Sequence, residues 1–358
     1  MALPRLLWDW GTAYDLFVSL AVLHEPAEFG LRGAWAAGMR ARLPADAREV
    51  LEQSQLLGCG VPFHWIHTLP DPKDGAAVLW ALEQVPPAGR LPLLTLSPDM
   101  PPEVAETLES VAARGTWDER DQEVLRAAHP CGKEKKSPLS PKELANILRC
   151  WTRAEEFGVH YLEALHAYQE AFFAEEEKRI RPALQEALTR AQDLAGQLDL
   201  PDLLEELSQG LRFAALPEVA ELVLAPSYWS TPLVFFGRAS AERDIWLFGA
   251  RPPDASLVPG EAVPDALVRA MKALSDPTRL RILRYLSEEP LTPAELARRL
   301  RLRAPTVTHH LRALRLAGLV QLTLEKNKEK GRYAARSEVV AATFASLRSF
   351  LTETETGE

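Results

Sequence analysis

Apolar and polar positions divide the chain into a long helical region, a short stretch with a different period, and a C-terminal run of shorter helices. Through residues 1–128, apolar side chains recur at three- and four-residue spacing between prolines, which is the pattern of amphipathic helices. In the first of these stretches Tyr14, Phe17 and Val18 line one face after a start at Thr12. We predict helices over 12–25, 33–43, 45–57, 75–85, 101–114 and 118–128.

A second helical block follows residues 133–138, a short basic and polar segment that predicts a break. The sequence SPKE at 140–143 has the form of a helix start, with a hydroxyl N-cap, a first-turn proline and a carboxylate that can return a hydrogen bond. Aromatic residues then step along 151–172 at helical spacing, typical of a helix-bundle core or a dimer seam. We expect Pro182 to end or kink this helix, and Pro201 to open a shorter one.

The period changes between residues 211 and 249. The runs 218–225, 232–237 and 244–249 are short, apolar and bounded by Pro, Ser, Gly or charged residues, so they predict a small antiparallel sheet. Residues 251–264 then contain four prolines and a glycine. This composition indicates a linker between domains.

Residues 291–333 combine helix starts, a helical apolar pattern and a basic hairpin. The sequence TPAE at 292–295 predicts a helix over 293–300. A second helix opens at Pro305, and apolar residues at 307, 311 and 314 give it one buried stripe. Two short helices so joined have the form of a helix-turn-helix, whose second helix lies in the major groove of DNA.

A β-hairpin is predicted directly after these helices. Gly318 ends the second helix, and residues 319–324 and 332–335 flank 325–331 as two strands. A lysine-rich hairpin in this place is expected to reach phosphates or a minor groove. Its cationic residues are Lys326, Lys328, Lys330 and Arg332.

Three runs lie in one order before the hairpin: KALSDPTRLRILRYL at 272–286, ELARRL at 295–300 and PTVTHHLRALRLAGLV at 305–320. Together they closely resemble the ArsR-type winged helix-turn-helix repressors. The resemblance extends from near residue 266 to the C-terminus and implies a winged helix-turn-helix domain over 265–358.

Two positions in the turn depart from the family. Arg303 stands where a Ser or Thr cap is frequent, and Arg301 stands where Gly is frequent. A non-Gly residue at positive φ costs on the order of 1 kcal/mol, and a missing cap costs about as much. These two departures concern the geometry of the turn rather than the fold.

The second helix of the motif supplies the candidate DNA contacts. On its open face, Arg can donate two bonds to guanine and Thr can touch a base edge, although a solvated face would look the same. Its N-terminus offers backbone donors and a cation to a phosphate. His310 falls on the buried side, where we expect packing. The candidates are Arg303, Thr306, Thr308, His309, Arg312 and Arg315.

The terminal helix, beginning at Ser337, has one apolar stripe. In ArsR-like proteins the first and last helices of the domain pair across a two-fold axis, so the resemblance implies a homodimer. Burial of the stripe against the N-terminal region would give the same pattern. Its residues are Val340, Phe344, Leu347 and Leu351.

Charge is unevenly distributed along the chain. Residues 265–358 hold 17 Lys and Arg and 11 Asp and Glu, a balance of +6, whereas the preceding 264 residues hold 24 and 39, a balance of −15. An acidic region joined to a basic one suits a protein that contacts double-stranded DNA at one end. The three cysteines are odd in number and widely spaced, and no apolar run is long enough for a membrane span. We expect a cytoplasmic protein without a membrane partner.

The N-terminal region offers weaker chemical signals. Cys59, His64 and His67 have a spacing compatible with a metal, but packing in a Pro-rich, aromatic segment accounts for them better. Dense aromatic residues would also suit a ligand pocket, although most such residues pack in cores. We find no phosphate loop, nucleophile elbow or other catalytic motif, so we expect neither a cofactor nor an enzyme.

Metal-sensing members of this family carry a Cys-x-Cys pair on the first helix of the helix-turn-helix, or His and carboxylate ligands on the terminal helix. Here ELARRL has no Cys and residues 337–358 have no His, so the usual metal sites are absent. We therefore expect the large N-terminal region to sense a small-molecule effector or a partner. An enzyme, or a protein-interaction module, fused to a DNA-binding head is the alternative.

The predicted fold is mainly α with small antiparallel β elements. Its parts are a helical region at 1–132, long helices and a small sheet at 139–250, a linker at 251–264 and a winged helix-turn-helix at 265–358.

Overall fold

The structure, a computed structural model, describes residues 3–29, 31–57, 60–128, 140–213, 216, 218–258, 263–324 and 331–352. Its helices are α1 (Thr12–His24), α2 (Gly33–Arg40), α3 (Ala45–Leu56), α4 (Phe63–Ile66), α5 (Gly75–Gln84), α6 (Pro87–Thr95), α7 (Pro102–Arg114), α8 (Glu119–Ala128), α9 (Pro141–Thr152), α10 (Ala154–Tyr168), α11 (Ala174–Ala195), α12 (Leu200–Leu207), α13 (Asp265–Leu274), α14 (Pro277–Glu288), α15 (Pro293–Leu300), α16 (Ala304–Leu316) and α17 (Ser337–Thr352). Its strands are β1 (Arg5–Trp8), β2 (Leu211–Phe213), β3 (Glu221–Ser227), β4 (Phe235–Ser240), β5 (Arg243–Gly249), β6 (Val320–Leu324) and β7 (Arg332–Ala335).

The predicted class, mainly α with small β elements, is confirmed. We call the described residues up to 258 the body and those from 263 the head. Among the described residues, no helix combines the length and apolar character that crossing a bilayer requires.

The body sheet has the order β1-β3-β5-β4, with β1, β3 and β5 parallel and only β4 antiparallel to its neighbour. The antiparallel arrangement that we predicted is therefore wrong for most of this sheet. β1 was not predicted, because its four residues are too few to show a period. The helices between β1 and β3 form the long crossover that a parallel pair requires.

The core of the body lies between this sheet and the helices around it. Nearly every residue of α1 is buried, so α1 is a central helix rather than the amphipathic one predicted. Aromatic side chains pack on one another beside it, as where Trp35 stacks on Trp229 with ring centroids 6.2 Å apart. The dense aromatic residues of the body thus serve its core in these contacts.

Pro182 does not end its helix, although ending it was one of the two outcomes that we expected. It lies inside α11, which follows α10 through a π-helical turn at Gln169–Phe173. Ile180 and Leu184 are fully buried on either side of it. Because this buried stripe continues past the proline, packing outweighs the hydrogen bond that the ring removes.

Asp15 fastens α1 to the loop after β3. Its carboxylate accepts hydrogen bonds from Ser227 Oγ at 2.7 Å and from the backbone N–H groups of Trp229 at 2.8 Å and Tyr228 at 3.1 Å. The helix start is capped by Gly11 without a side-chain bond, so Asp15 serves this long-range contact instead. Complete burial raises the pKa of its carboxyl from 3.8 to about 7.

The head has its own core and a wing. Ile282, Leu296 and Leu311 are among its fully buried residues. The wing strands β6 and β7 are antiparallel, as predicted, but β2 of the body pairs in parallel with β6, giving the order β2-β6-β7. The body thus supplies a third strand to the sheet of the head.

The predicted linker at 251–264 is packed against the body over its described first part. Leu257 is 1% exposed and belongs to the core of the body, and Arg251 is also buried. The Leu257 N–H donates to Asp265 Oδ2 of the head at 2.7 Å. The described residues 251–258 of this proline-rich segment therefore pack on the body.

The raised pKa of Asp15 predicts a pH dependence of stability. In the unfolded chain the carboxyl ionises near pH 3.8, whereas in the folded chain it keeps its proton up to about pH 7. The folded state therefore binds more protons in this window, and the stability of the wild type relative to Asp15→Asn should fall as the pH rises. The fall is at most about 1.4 kcal/mol per pH unit. Urea unfolding of both proteins across the window measures it, and a constant difference would contradict it.

Candidate nucleic-acid interface

A reciprocal cap begins the helix-turn-helix. Thr292 Oγ1 accepts from the Glu295 N–H at 3.3 Å, and Glu295 Oε2 accepts from the Thr292 N–H at 2.7 Å. The N–H and the hydroxyl of Thr292 both donate to the Glu295 carboxylate, and these bonds hold the pKa of Glu295 below its ordinary value. The capping box that the sequence predicts is thus present at α15.

The turn between α15 and α16 has a left-handed residue, a conformation that costs free energy for any residue other than Gly. Arg301 is left-handed, with φ 56° and ψ 42°. Arg303 occupies the N-cap of α16 and makes no side-chain capping bond. The helix-turn-helix therefore keeps its geometry without the family's frequent Gly and Ser or Thr, and its packing must offset both costs.

The buried stripe of α16 orients its opposite face outward. Val307, Leu311 and Leu314 are fully buried against the head core, as predicted. The exposed residues of α16 and its cap include five of the six candidate contacts. These are Arg303, Thr306, Thr308, His309 and Arg312.

Arg315, the sixth candidate, has a different role. Its Nη1 donates to the Gln209 carbonyl at 3.1 Å and its Nη2 to the Ser208 carbonyl at 2.9 Å, both in the body just after α12. Burial lowers the pKa of Arg315 to about 10. The prediction that this side chain contacts DNA is therefore corrected: it joins head to body, which spacing along α16 alone does not reveal.

His310 lies on the inner side of α16, as expected. Its Nδ1 is buried without a hydrogen-bond partner, 3.9 Å from Asp276 Oδ1. Desolvation lowers the pKa of its imidazole. The ring therefore acts as a neutral packing group rather than as a cation for DNA.

Arg332 at the base of the wing is partly engaged within the head. Its Nη1 donates to the Pro290 carbonyl at 2.9 Å and lies 3.8 Å from Glu295 Oε2. The side chain remains 42% exposed. The other predicted wing contacts, Lys326, Lys328 and Lys330, lie outside the described residues.

The candidate dimer stripe is largely uncovered. Phe344 is 56% exposed and Leu351 is 71% exposed, while Val340 and Leu347 are half-buried. Phe344 and Val340 line an open, mainly apolar cavity of about 640 Å³ with Leu280, which is itself 49% exposed. Burial of the stripe against the body, the alternative that the sequence left open, does not account for these residues.

The metal candidates are not brought together as a metal site. His64 Nε2 is 2.9 Å from the Leu93 carbonyl, whereas His67 contacts Asp9 Oδ2 at 3.0 Å and Arg243 Nη1 at 2.9 Å. Cys59 lies outside the described residues. Within the described part of the chain, no group of His, Cys, Asp and Glu has metal-binding geometry.

Comparisons with known proteins agree with this geometry. A family profile described as a helix-turn-helix domain matches residues 274–323. An uncharacterised HTH-type transcriptional regulator of Methanocaldococcus jannaschii is 42% identical over 72 residues, which are 20% of this chain and 76% of that protein. The HTH-type transcriptional regulator CmtR of Mycobacterium tuberculosis is 40% identical over 82 residues, which are 23% of this chain and 68% of CmtR. CmtR of Mycobacterium bovis matches equally well.

A capped helix-turn-helix with an exposed second helix defines a class of DNA-binding proteins. The chain belongs to the HTH-type transcriptional regulators. Its C-terminal domain is of the ArsR type, as the runs at 272–320 indicated. The matched residues are less than a quarter of the chain.

The two arginines of α16 should separate stability from DNA contact. Arg315→Ala removes two charge-assisted bonds and leaves the carbonyls of Ser208 and Gln209 without their partner. We expect it to lower the free energy of unfolding by about 1 to 3 kcal/mol. Arg312→Ala, at an exposed position of the same helix, is the control and should change it by no more than about 0.5 kcal/mol. Chemical unfolding of the two variants measures both; equal losses would contradict the assignment of Arg315.

Proposed function

We propose that the protein is a dimeric, repressor-like regulator that binds an inverted-repeat DNA operator sequence-specifically, and that its body senses a signal. The observation that carries this proposal is the outward face of α16. Thr308, His309 and Arg312 are exposed on a helix whose other side is fixed by the head core. This is the arrangement in which a helix can enter a major groove with its exposed face toward the bases.

Each group of side chains has a separate task at DNA. Arg312 can donate two hydrogen bonds to the O6 and N7 atoms of guanine, and Thr308 can bond a base edge or touch a thymine methyl. Arg303 and Thr306 lie at the N-terminus of α16, where backbone donors favour a phosphate. The wing lysines neutralise phosphates and add affinity with little sequence information.

The proposed dimer forms through the apolar face of the head. Leu280 of α14 and Phe344 of α17 are exposed around an apolar cavity, and the acidic body leaves them uncovered. Exposed apolar patches of this kind mark association sites. A two-fold pair of heads places its reading helices about one turn of DNA apart, near 34 Å, on an inverted repeat.

The body acts in this scheme as a sensor rather than as an enzyme. It is joined to the head by the β2–β6 pairing and by Arg315, so a change in the body reaches the elements that carry α16 and the wing. A regulator of this kind acts where the DNA is, so we place it in the cytoplasm. Its effector is a small molecule or a partner protein.

Two substitutions test the assignment of base and phosphate contacts. Arg312→Ala should weaken binding to the operator by about 1 to 3 kcal/mol and leave binding to random DNA nearly unchanged. Lys328→Ala should weaken both DNAs alike and reduce the salt dependence of binding. Titrations of each variant against both DNAs at several salt concentrations decide this. Unchanged operator affinity of Arg312→Ala would show that α16 does not read bases in this way.

The apolar face predicts the assembly state. Phe344→Glu places a charge in the proposed interface, and we expect it to shift the protein from dimer to monomer in sedimentation equilibrium. Ser346→Glu is the matched control, because Ser346 is exposed on the same helix about 200° away and should leave the dimer intact. A monomeric wild type, or a dimer that Phe344→Glu does not weaken, would remove this face from the proposal.

A further inference from the structure

A cleft lies where the body meets the head, and its lining is basic and partly apolar. It has a volume of about 330 Å³, which is the lower end of the range for small-molecule sites. Arg32 lines it from the body, and Arg269 and Lys272 line it from α13 of the head. Leu316 of the reading helix α16 also lines it. We call it the junction cleft.

Arg269 is the unusual side chain of the junction cleft. Its Nε and Nη1 atoms are buried and have no hydrogen-bond partner among the described residues. Burial lowers the pKa of Arg269, and the charge of Asp265, which also lines the cleft, opposes this shift. Asp265 Oδ2 nevertheless accepts its hydrogen bond from the Leu257 N–H. Arg279, a further lining residue, donates instead to the carbonyls of Ala273 and Lys272. A buried guanidinium without an acceptor is costly, so this arrangement calls for an anion.

Arg251 reinforces the same charge. It is 6% exposed, its Nη2 donates to the Thr231 carbonyl at 2.8 Å, and its Nη1 is buried without a partner. Burial, and next the positive charge of Arg269, lower the pKa of Arg251 to about 9. The guanidinium groups of Arg251 and Arg269 thus repel one another, and each has a buried N–H donor without a hydrogen-bond acceptor.

A third arginine in the same part of the protein, Arg179, differs from Arg269 and Arg251 because it is paired with a carboxylate. Arg179 Nε donates to Glu176 Oε2 at 2.8 Å, and bonding to this carboxylate raises the pKa of Arg179 although burial opposes the rise. Arg179 thus has a carboxylate that accepts from its partly buried donors. Arg269 and Arg251 have no such hydrogen-bonded carboxylate among the described residues.

We propose that the junction cleft binds a small organic anion, whose carboxylate or phosphate group accepts hydrogen bonds from Arg269 and whose apolar part lies against Val258, Val263 and Val268. This inference rests on the proposed regulatory function, because it names the chemistry of the signal. The walls come from the body and from α13 and α16 of the head. A ligand that bridges them favours one placement of α16, and its binding is therefore linked to that of DNA.

Calorimetric titration of the full chain with benzoate, octanoate and phenyl phosphate tests the site, with benzamide and octanamide as uncharged controls. We expect an anion to bind and the amides not to bind. Arg269→Met should weaken the binding about 10- to 100-fold, whereas Arg120→Met, an exposed arginine on α8, should not change it. The carboxylates and the phosphate distinguish the two head groups. Absence of binding by all three anions, or equal binding to Arg269→Met, would overturn the proposal.

Thermal unfolding without added anions gives a second readout. If the buried charge of Arg269 awaits a ligand, Arg269→Met should keep or raise the melting temperature of the wild type. A clear fall would show that Arg269 serves the fold and would overturn the proposal. Neither measurement contains DNA. If the protein selects operator DNA but binds no anion, only the proposal of an anion site is contradicted. If it binds the anion but selects no DNA, only the proposed function is contradicted.

Discussion

The contact between β2 and the wing strand β6 determines how the rest of the protein can act. Three residues of the body, Leu211–Phe213, extend the wing sheet, and Leu322 of β6 donates to the Gly210 carbonyl at 3.0 Å. A two-stranded hairpin is marginal alone, and an open strand edge invites unwanted pairing. The body therefore both completes and covers the wing. Arg315 and the 2.6 Å bond from Gln321 to Glu205 secure the same contact.

This contact makes the head part of a larger unit rather than a domain on a free tether. The body holds the reading helix at Arg315, near its C-terminal end, and Leu316 of the same helix lines the junction cleft. Arg315 and Leu316 both lie on α16, the helix whose outward face carries the candidate DNA contacts. A signal in the body thus has a physical route to DNA, because it needs only to change the relative stability of two placements of the head.

The features that the sequence predicts are those set by local spacing. The Thr292 and Glu295 cap, the buried stripe at Val307, Leu311 and Leu314, and the wing strands each depend on residues close in the chain. Most of the outward face of α16 follows from the same stripe. The strained turn at Arg301 was also visible, since a non-Gly residue stood at a glycine position.

The features that the sequence does not predict depend on distant partners. Four residues of β1 give too short a pattern to identify, and the parallel direction of the body sheet follows from pairing with β3 across the intervening helices. Asp15 lies in the first turn of α1 but binds a loop more than two hundred residues away. The spacing along α16 predicted that Arg315 contacts DNA. Its partners, the carbonyls of Ser208 and Gln209, are distant in the sequence and could not be identified from α16 alone.

Selection of bound DNA from a random pool by the full-length protein tests the central claim most directly. We expect the recovered DNA to share one sequence with two-fold symmetry, its half-sites centred about one helical turn apart, near 10 base pairs. Recovery of DNA without any shared sequence would contradict the account, because the outward face of α16 would then contact phosphates without reading bases.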